Sequence, residues 1–226
     1  MGNGERDKPR VRDMPAPRKT PSAIGRVLPA ALAWPYRVAL AGLYRAGVRP
    51  WHLTLASLAT NIAIGALLIA DYRLLPGLLL LPAGLFDVFD GGVARLRGEA
   101  SRLGAFIDSV SDRLSDVVVF GCLFWSLSGQ GGDAAAVLAL ATLVISLTVS
   151  HIRADAESVG ISLSHGVFQR LERYVALTIG LCVPGALLPV LAILAGLGGL
   201  TIVQRLWSAW RQLARAQSLP GSPAAT

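Results

Sequence analysis

Four aspartates carry the chemistry that this sequence can do. Residues 87–112 read DVFDGGVARLRGEASRLGAFIDSVSD, and apolar runs flank the stretch on both sides. Asp87 and Asp90 are three residues apart and share a helix face; Asp108 and Asp112 are four apart and share another. The loop LRGEASRLG joins the two helix ends, so the helices are antiparallel neighbours and the four carboxylates converge on one pocket. Left bare, such a cluster repels itself, and divalent cations remove that conflict. An all-oxygen set of this kind suits Mg²⁺ or Mn²⁺, with a phosphate completing the shell. Gly91 and Gly92 allow close approach of backbone and ligand, Ala94 and Gly104 keep the same faces small, and Arg95 offers a planar fork to a phosphate or base. The spacing matches neither a P-loop nor a GxGxxG fingerprint. A single intramembrane aspartate is often only a structural hydrogen-bonding residue, but four at helical spacing beside glycines are not. Arg113 and Asp116, which flank the cluster, read as a structural ion pair.

The elements that must hold these residues are membrane helices. Apolar residues make up 53% of the 226, charged residues 15%, and the mean hydropathy is +0.55, a membrane-protein profile. The net charge of +7 raises the possibility of nucleic acid. Its distribution excludes that reading, because the basic residues lie at the ends of apolar segments. Cys122 and Cys182 fall inside apolar runs, with neither zinc spacing nor a disulfide framework. The first residues match no cleaved signal peptide, and Arg6 breaks a myristoylation pattern. Residues 1–22 are polar and rich in Pro, Arg and Lys, and are expected to form a disordered cytosolic tail. Residues 24–47 mix apolar positions with Arg26, Arg37 and Arg45, which predicts an amphipathic helix lying along the interface.

Six spans of roughly 20 residues follow, the length a bilayer core requires, near 51–71, 75–95, 104–127, 134–154, 170–188 and 189–210. PGALLP at 184–189 is the expected turn between the last two. The prediction is an all-α bundle of six transmembrane helices, with a membrane domain over 23–215 and a disordered C-terminal tail over 216–226. Of the 21 Lys and Arg residues, only Arg73 falls in an expected outer loop. That bias puts both termini in the cytosol, in a multi-pass protein of the cell's inner (plasma) membrane.

The full spacing then becomes recognisable: Asp87, two residues, Asp90-Gly91, two residues, Ala94-Arg95, eight residues, Gly104, three residues, Asp108, three residues, Asp112. It resembles the signature of the CDP-alcohol phosphotransferase family at every fixed position. The likeness extends from about residue 25 to 215. It implies six transmembrane helices, a homodimer, and two divalent metals, Mg²⁺ or Mn²⁺, held by Asp87, Asp90, Asp108 and Asp112. It also implies that an alcohol displaces CMP, with Asp112 as the base that takes its proton. Gly91, Ala94, Arg95 and Ser101 match the region that contacts the CDP moiety. PWHLT at 50–54 matches the start of the first span, so Trp51, His52 and Thr54 join that set, although Trp51 stands where the family has Asp or Asn. Two metals some ~4 Å apart neutralise the β-phosphate and stabilise the leaving CMP, and a carboxylate beside a metal accepts the alcohol's proton as attack proceeds.

The acceptor is suggested by further matches. SHIRADAESVG at 150–160, GVFQRLERY at 166–174 and TIVQRLW at 201–207 resemble segments of the phosphatidylinositol phosphate synthases of this family. The resemblance implies that Arg153, Arg170 and Arg205, with Arg173 nearby, hold the phosphate of inositol 1-phosphate. Arg153 stands where Lys is usual, and Asp155 replaces an expected Arg. The residues themselves agree in part, since several arginines at cytosolic helix ends suit a phosphate; the alternative is that they are snorkelling interfacial anchors. His52, His151 and His165 read as interfacial rather than catalytic. The small-residue sixth span, ALLPVLAILAGLGGL, offers a dimer face. Rival readings are phosphatidylglycerophosphate synthase or another CDP-alcohol phosphotransferase. A prenyltransferase would need a second aspartate-rich motif. An ion transporter would spread its acids over repeated halves.

Overall fold

The structure, a computed structural model, describes residues 33–129, 133–161 and 170–217, together with Val11, Met14 and Leu163. It is all-helical. In chain order the described helices are α1 (Ala33–Arg45), α2 (Pro50–Ile69), α3 (Leu74–Arg97), α4 (Arg102–Ser128), α5 (Asp133–Ser158), α6 (Arg170–Cys182) and α7 (Leu187–Gln217). Four of them, α2, α3, α5 and α7, are long and apolar enough to cross a membrane. The remaining two of the expected spans fall short for identifiable reasons. α4 carries Arg102, Asp108, Asp112, Arg113 and Asp116 along its length, and the described part of α6 is 13 residues long.

Helices α2 to α7 close into a ring in the order α2, α4, α5, α7, α6, α3, each packed against its two neighbours, and α1 lies outside against α3. One apolar core runs through all six, from Ile64 and Leu68 on α2 through Leu80, Phe120, Leu143 and Leu177 to Leu191 and Leu194 on α7. Burial at roughly 25 cal/mol per Å² of apolar surface is what holds such a core against water; within lipid, close packing takes over that part. The outward faces remain apolar, with Ile62, Leu78, Val144, Ile193 and Val203 exposed on four different helices, as a lipid-facing belt requires.

Two local devices bring the aspartates together. Helix α3 ends at Gly98, whose φ of +65° is the left-handed conformation that stops a helix. Only three residues on, Ser101 caps α4, its Oγ accepting from the Gly104 N–H at 3.0 Å. The chain therefore reverses within one short connection, and the last turns of α3 face the first turns of α4. At the other end of the ring, the turn between α6 and α7 covers residues 183–186 with Gly185 at φ +78°. It comes slightly earlier than PGALLP predicts, because Leu187 already begins α7. Pro189 is accommodated there, since the first turn of a helix leaves its N–H groups unpaired.

Helix α1 buries Tyr36, Leu40 and Ala41 and exposes Trp34 and Val38. Met14, from the tail expected to be disordered, is buried in the same cluster as Tyr36, Leu40 and Val93. Apart from Val11 and Met14, the expected tail lies outside the described residues, as do residues 24–32 of the expected interfacial helix. So does the expected C-terminal tail beyond Gln217; residues 216 and 217 continue α7.

Candidate active site

A cleft of about 660 Å³ opens where α2, α3 and α4 meet. It is lined by Trp51, Thr54, Asp90, Gly91, Ala94, Arg95, Ser101, Gly104 and Asp108, among others. Six of the seven residues expected to contact the CDP moiety are in that lining. The seventh, His52, is not: its Nδ1 accepts from the Arg49 N–H at 3.1 Å and its ring lies against Trp51, so it shapes the start of α2. Gly92 is also not a ligand position. A Cβ there would collide with the Tyr36 hydroxyl, so this glycine lets α1 dock on α3. That hydroxyl, within electrostatic reach of Arg95 and Asp90, is pushed by burial above the ordinary tyrosine pKa and stays protonated.

The four carboxylates sit within one another's electrostatic reach, but in two layers. Asp90 and Asp108 border the cleft, and Asp90 Oδ2 accepts from Thr54 Oγ1 at 3.0 Å. Asp87 and Asp112 are bridged by Arg170 of α6, whose Nη1 meets Asp87 Oδ2 and Asp112 Oδ1 together. The resemblance puts Arg170 among the acceptor arginines. Here it faces the carboxylates instead, because its helix packs against α3. Its other terminal nitrogen, Nη2, donates to the Tyr174 hydroxyl at 3.0 Å, and its guanidinium lies 5.1 Å from that ring's centroid. Tyr174, fully buried, donates in turn to Asn61 Oδ1 at 2.8 Å. Asn61 Nδ2 donates to the Ser57 carbonyl at 2.8 Å, and Ser57 Oγ donates to the Ala83 carbonyl at 3.2 Å. A buried polar chain thus ties α2, α3 and α6 beneath the aspartates. Residue-by-residue reading misses it, although an asparagine inside the apolar run ASLATNIAIG is a visible signal.

The other arginines separate from Arg170. Arg173 Nη2 donates to Asp116 Oδ2 at 2.8 Å, both side chains being buried, and Ser146 Oγ donates to the same oxygen. The expected Arg113–Asp116 pair is therefore corrected: Arg113 Nη1 bonds Ser109 Oγ at 2.8 Å, one turn back on its own helix. Arg205 is buried, donates to the Val149 carbonyl at 2.7 Å, and has Arg153 and Arg173 as its cationic neighbours. Arg153 is exposed and paired with Glu157 at 2.8 Å. Asp155, also exposed, pairs with His151 at 3.3 Å. The pair lies on the exposed surface of α5. His165 lies outside the described residues.

The donor chemistry fits a divalent cation. Four carboxylates present hard oxygen ligands, one guanidinium leaves most of their charge unmatched, and the buried Asp87 Oδ2 meets Arg170 as an ion pair without a hydrogen bond of good geometry. Among the described residues no three such side chains already enclose an ion-sized space; Arg170 stands between Asp87 and Asp112.

Carboxylates at the junction of α3 and α4, beside an amphipathic cleft and backed by buried arginines, suit a divalent metal and an anionic substrate. Residues 48–210 match the CDP-alcohol phosphatidyltransferase family, and the chain belongs to it. It is 35% identical over 179 residues to the phosphatidylinositol phosphate synthase of Mycobacterium marinum, covering 75% of this chain and 76% of that protein. It is 36% identical over 151 residues to the archaetidylinositol phosphate synthase of Methanothermobacter thermautotrophicus, covering 64% and 74%. The crystal structure of Mycobacterium tuberculosis phosphatidylinositol phosphate synthase with CDP-DAG bound superposes with a TM-score of 0.70 at 29% identity, over 83% of this chain and 96% of that one. The same enzyme in complex with manganese and citrate gives 0.68 at 28% identity, over 83% and 91%.

Proposed function

We propose that the chain transfers the phosphatidyl group of CDP-diacylglycerol to a hydroxyl of inositol 1-phosphate, releasing CMP and forming phosphatidylinositol phosphate. The observation that carries this reading is the meeting of four carboxylates at the α3–α4 junction, beside an amphipathic cleft and with Arg170 and Arg173 of α6 within electrostatic reach of Asp112. The cleft accounts for the donor: its Gly91, Ala94 and Gly104 walls admit a nucleotide, Arg95 faces its phosphates, and its apolar lining continues toward lipid. Arg205 and Arg173, with Arg153 beside them, account for a phosphate on the acceptor, since a buried guanidinium is best satisfied by an anion.

Asp87, Asp90, Asp108 and Asp112 would hold the divalent metal, two ions of Mg²⁺ or Mn²⁺. Bound there, the metal supplies charge neutralisation at the phosphate under attack. Asp112 is the base: it lies on the α6 side of the cluster, toward the arginines, and takes the proton of the incoming hydroxyl. Thr54 orients Asp90, and Tyr174 with Asn61 orients Arg170. The protein crosses the inner membrane six times, α4 and α6 completing the count, with both termini in the cytosol. It works as a homodimer. Purified protein incubated with CDP-diacylglycerol and a panel of free and phosphorylated alcohols tests the proposal through CMP release. Inositol 1-phosphate should react and free inositol, serine and glycerol should not. Equal reaction of free inositol would overturn the acceptor assignment, and glycerol 3-phosphate as the sole substrate would move the protein to phosphatidylglycerophosphate synthesis.

A further inference from the structure

We infer that Arg170 is an internal counter-cation that exchanges with the divalent metal, and that its displacement makes metal and phosphorylated acceptor bind cooperatively. The inference deepens the proposed function and rests on that reading for the identity of the acceptor. It starts from the position of one nitrogen. Arg170 Nη1 contacts a carboxylate from α3, Asp87, and one from α4, Asp112, at once. A divalent cation held by Asp87 and Asp112 would compete with it for these two carboxylates. The neighbouring guanidinium groups are engaged elsewhere: Arg173 by Asp116, Arg205 by the Val149 carbonyl, Arg113 by Ser109. Arg170 is moreover a built feature. The Tyr174 hydroxyl that receives its Nη2 is itself fixed by Asn61.

A metal binding to Asp87 and Asp112 must compete with that guanidinium, so its apparent affinity is lowered by whatever holds Arg170 in place. Once displaced, Arg170 is a largely buried cation without its two carboxylates, a costly state unless another anion replaces them. Arg173 lies three residues along the same helix, on the adjoining surface, next to Arg205 and Arg153. A phosphate bound there meets the released guanidinium. Each ligand then lowers the cost of binding the other, and by linkage the enhancement is the same in both directions.

The test measures Mn²⁺ binding by the electron paramagnetic resonance signal of the free ion, using the full chain in nanodiscs, with and without saturating inositol 1-phosphate and, separately, inorganic phosphate. Arg170→Met should bind its first Mn²⁺ at least tenfold more tightly than wild type in the absence of phosphate, and Arg170→Lys should fall between them. Wild type should gain at least fivefold in Mn²⁺ affinity when the phosphate ligand is present, and Arg170→Met less than twofold. Wild-type or weaker Mn²⁺ affinity in a folded Arg170→Met protein, or coupling that survives the substitution, overturns the inference. Should Arg170→Met fail to fold, Arg170→Lys and the wild-type coupling decide it. The binding curves need no turnover. A wild-type protein that releases no CMP with inositol 1-phosphate would therefore refute the substrate assignment and leave the metal exchange to be judged by its own result.

Discussion

Replacing Asp116 by asparagine tests how the arginine group is held. Asp116 and Arg173 have side chains only 4% and 11% exposed, and they meet at 2.8 Å across α4 and α6. Ser146, on α5, bonds the same carboxylate, so three helices depend on one anion. Asparagine preserves the shape and an oxygen for Ser146 but removes the charge. Arg173 is then a buried cation with Arg205 for a neighbour. Stranding one member of a buried pair costs roughly 3–5 kcal/mol, and the retained amide oxygen places Asp116→Asn near the lower figure. For a chain of this size that corresponds to a fall in melting temperature of about 6–12 °C, read by thermal unfolding in detergent. Asp116→Asn combined with Arg173→Gln should recover much of the loss, because the stranded charge is gone. The single variant should also raise the KM for inositol 1-phosphate, since the guanidinium no longer has a fixed direction. A single variant melting within 2 °C of wild type, or losses that simply add in the double variant, would show that Asp116 is not what neutralises Arg173.

Asp112→Asn should lower CMP release by about a hundredfold or more, the scale of a lost general base, while CDP-diacylglycerol binding measured by calorimetry changes less than threefold; retained turnover would remove Asp112 from the proton transfer. Thr54→Val deletes the hydroxyl 3.0 Å from Asp90 Oδ2, a bond to a charged group worth about 1.5–3 kcal/mol, so Mn²⁺ affinity should fall about tenfold, and an unchanged isotherm would mean that Asp90 needs no orienting partner. Arg205→Ala should raise the acceptor KM about tenfold or more, by the same scale of charge-assisted contact, with the KM for CDP-diacylglycerol within twofold; equal effects on both would mark Arg205 as structural. Reporter fusions at the two termini should both read cytosolic, and opposite readings would require an odd number of spans.

The aspartate cluster was legible because its physics is local. Spacings of three and four fix a helix face, and the short loop through Gly98 and Ser101 fixes the antiparallel turn, so sequence alone brings the four side chains to one junction. Four of the six expected spans were legible for the same reason: apolar length is a property of a segment, not of its neighbours. What could not be read depends on the order of helices around the ring. Whether Arg170 faces Asp112 or Arg205 depends on α6 lying against α3, and helical spacing within 166–174 says nothing about that. Asp116 illustrates the same limit. Arg113 is its neighbour in sequence, yet Arg173, 57 residues away, is its partner in space. Asn61 and Tyr174, 113 residues apart, meet only because α2 and α6 both border α3. The first two of these long-range contacts join an arginine to an aspartate, and the third supports Arg170 through the Tyr174 hydroxyl. The ring topology therefore contributes more than a scaffold. It decides which arginine meets Asp87 and Asp112 and which pair elsewhere, and under the proposed function that division, invisible in the one-dimensional pattern, would separate the chemistry of the metal from recognition of the acceptor.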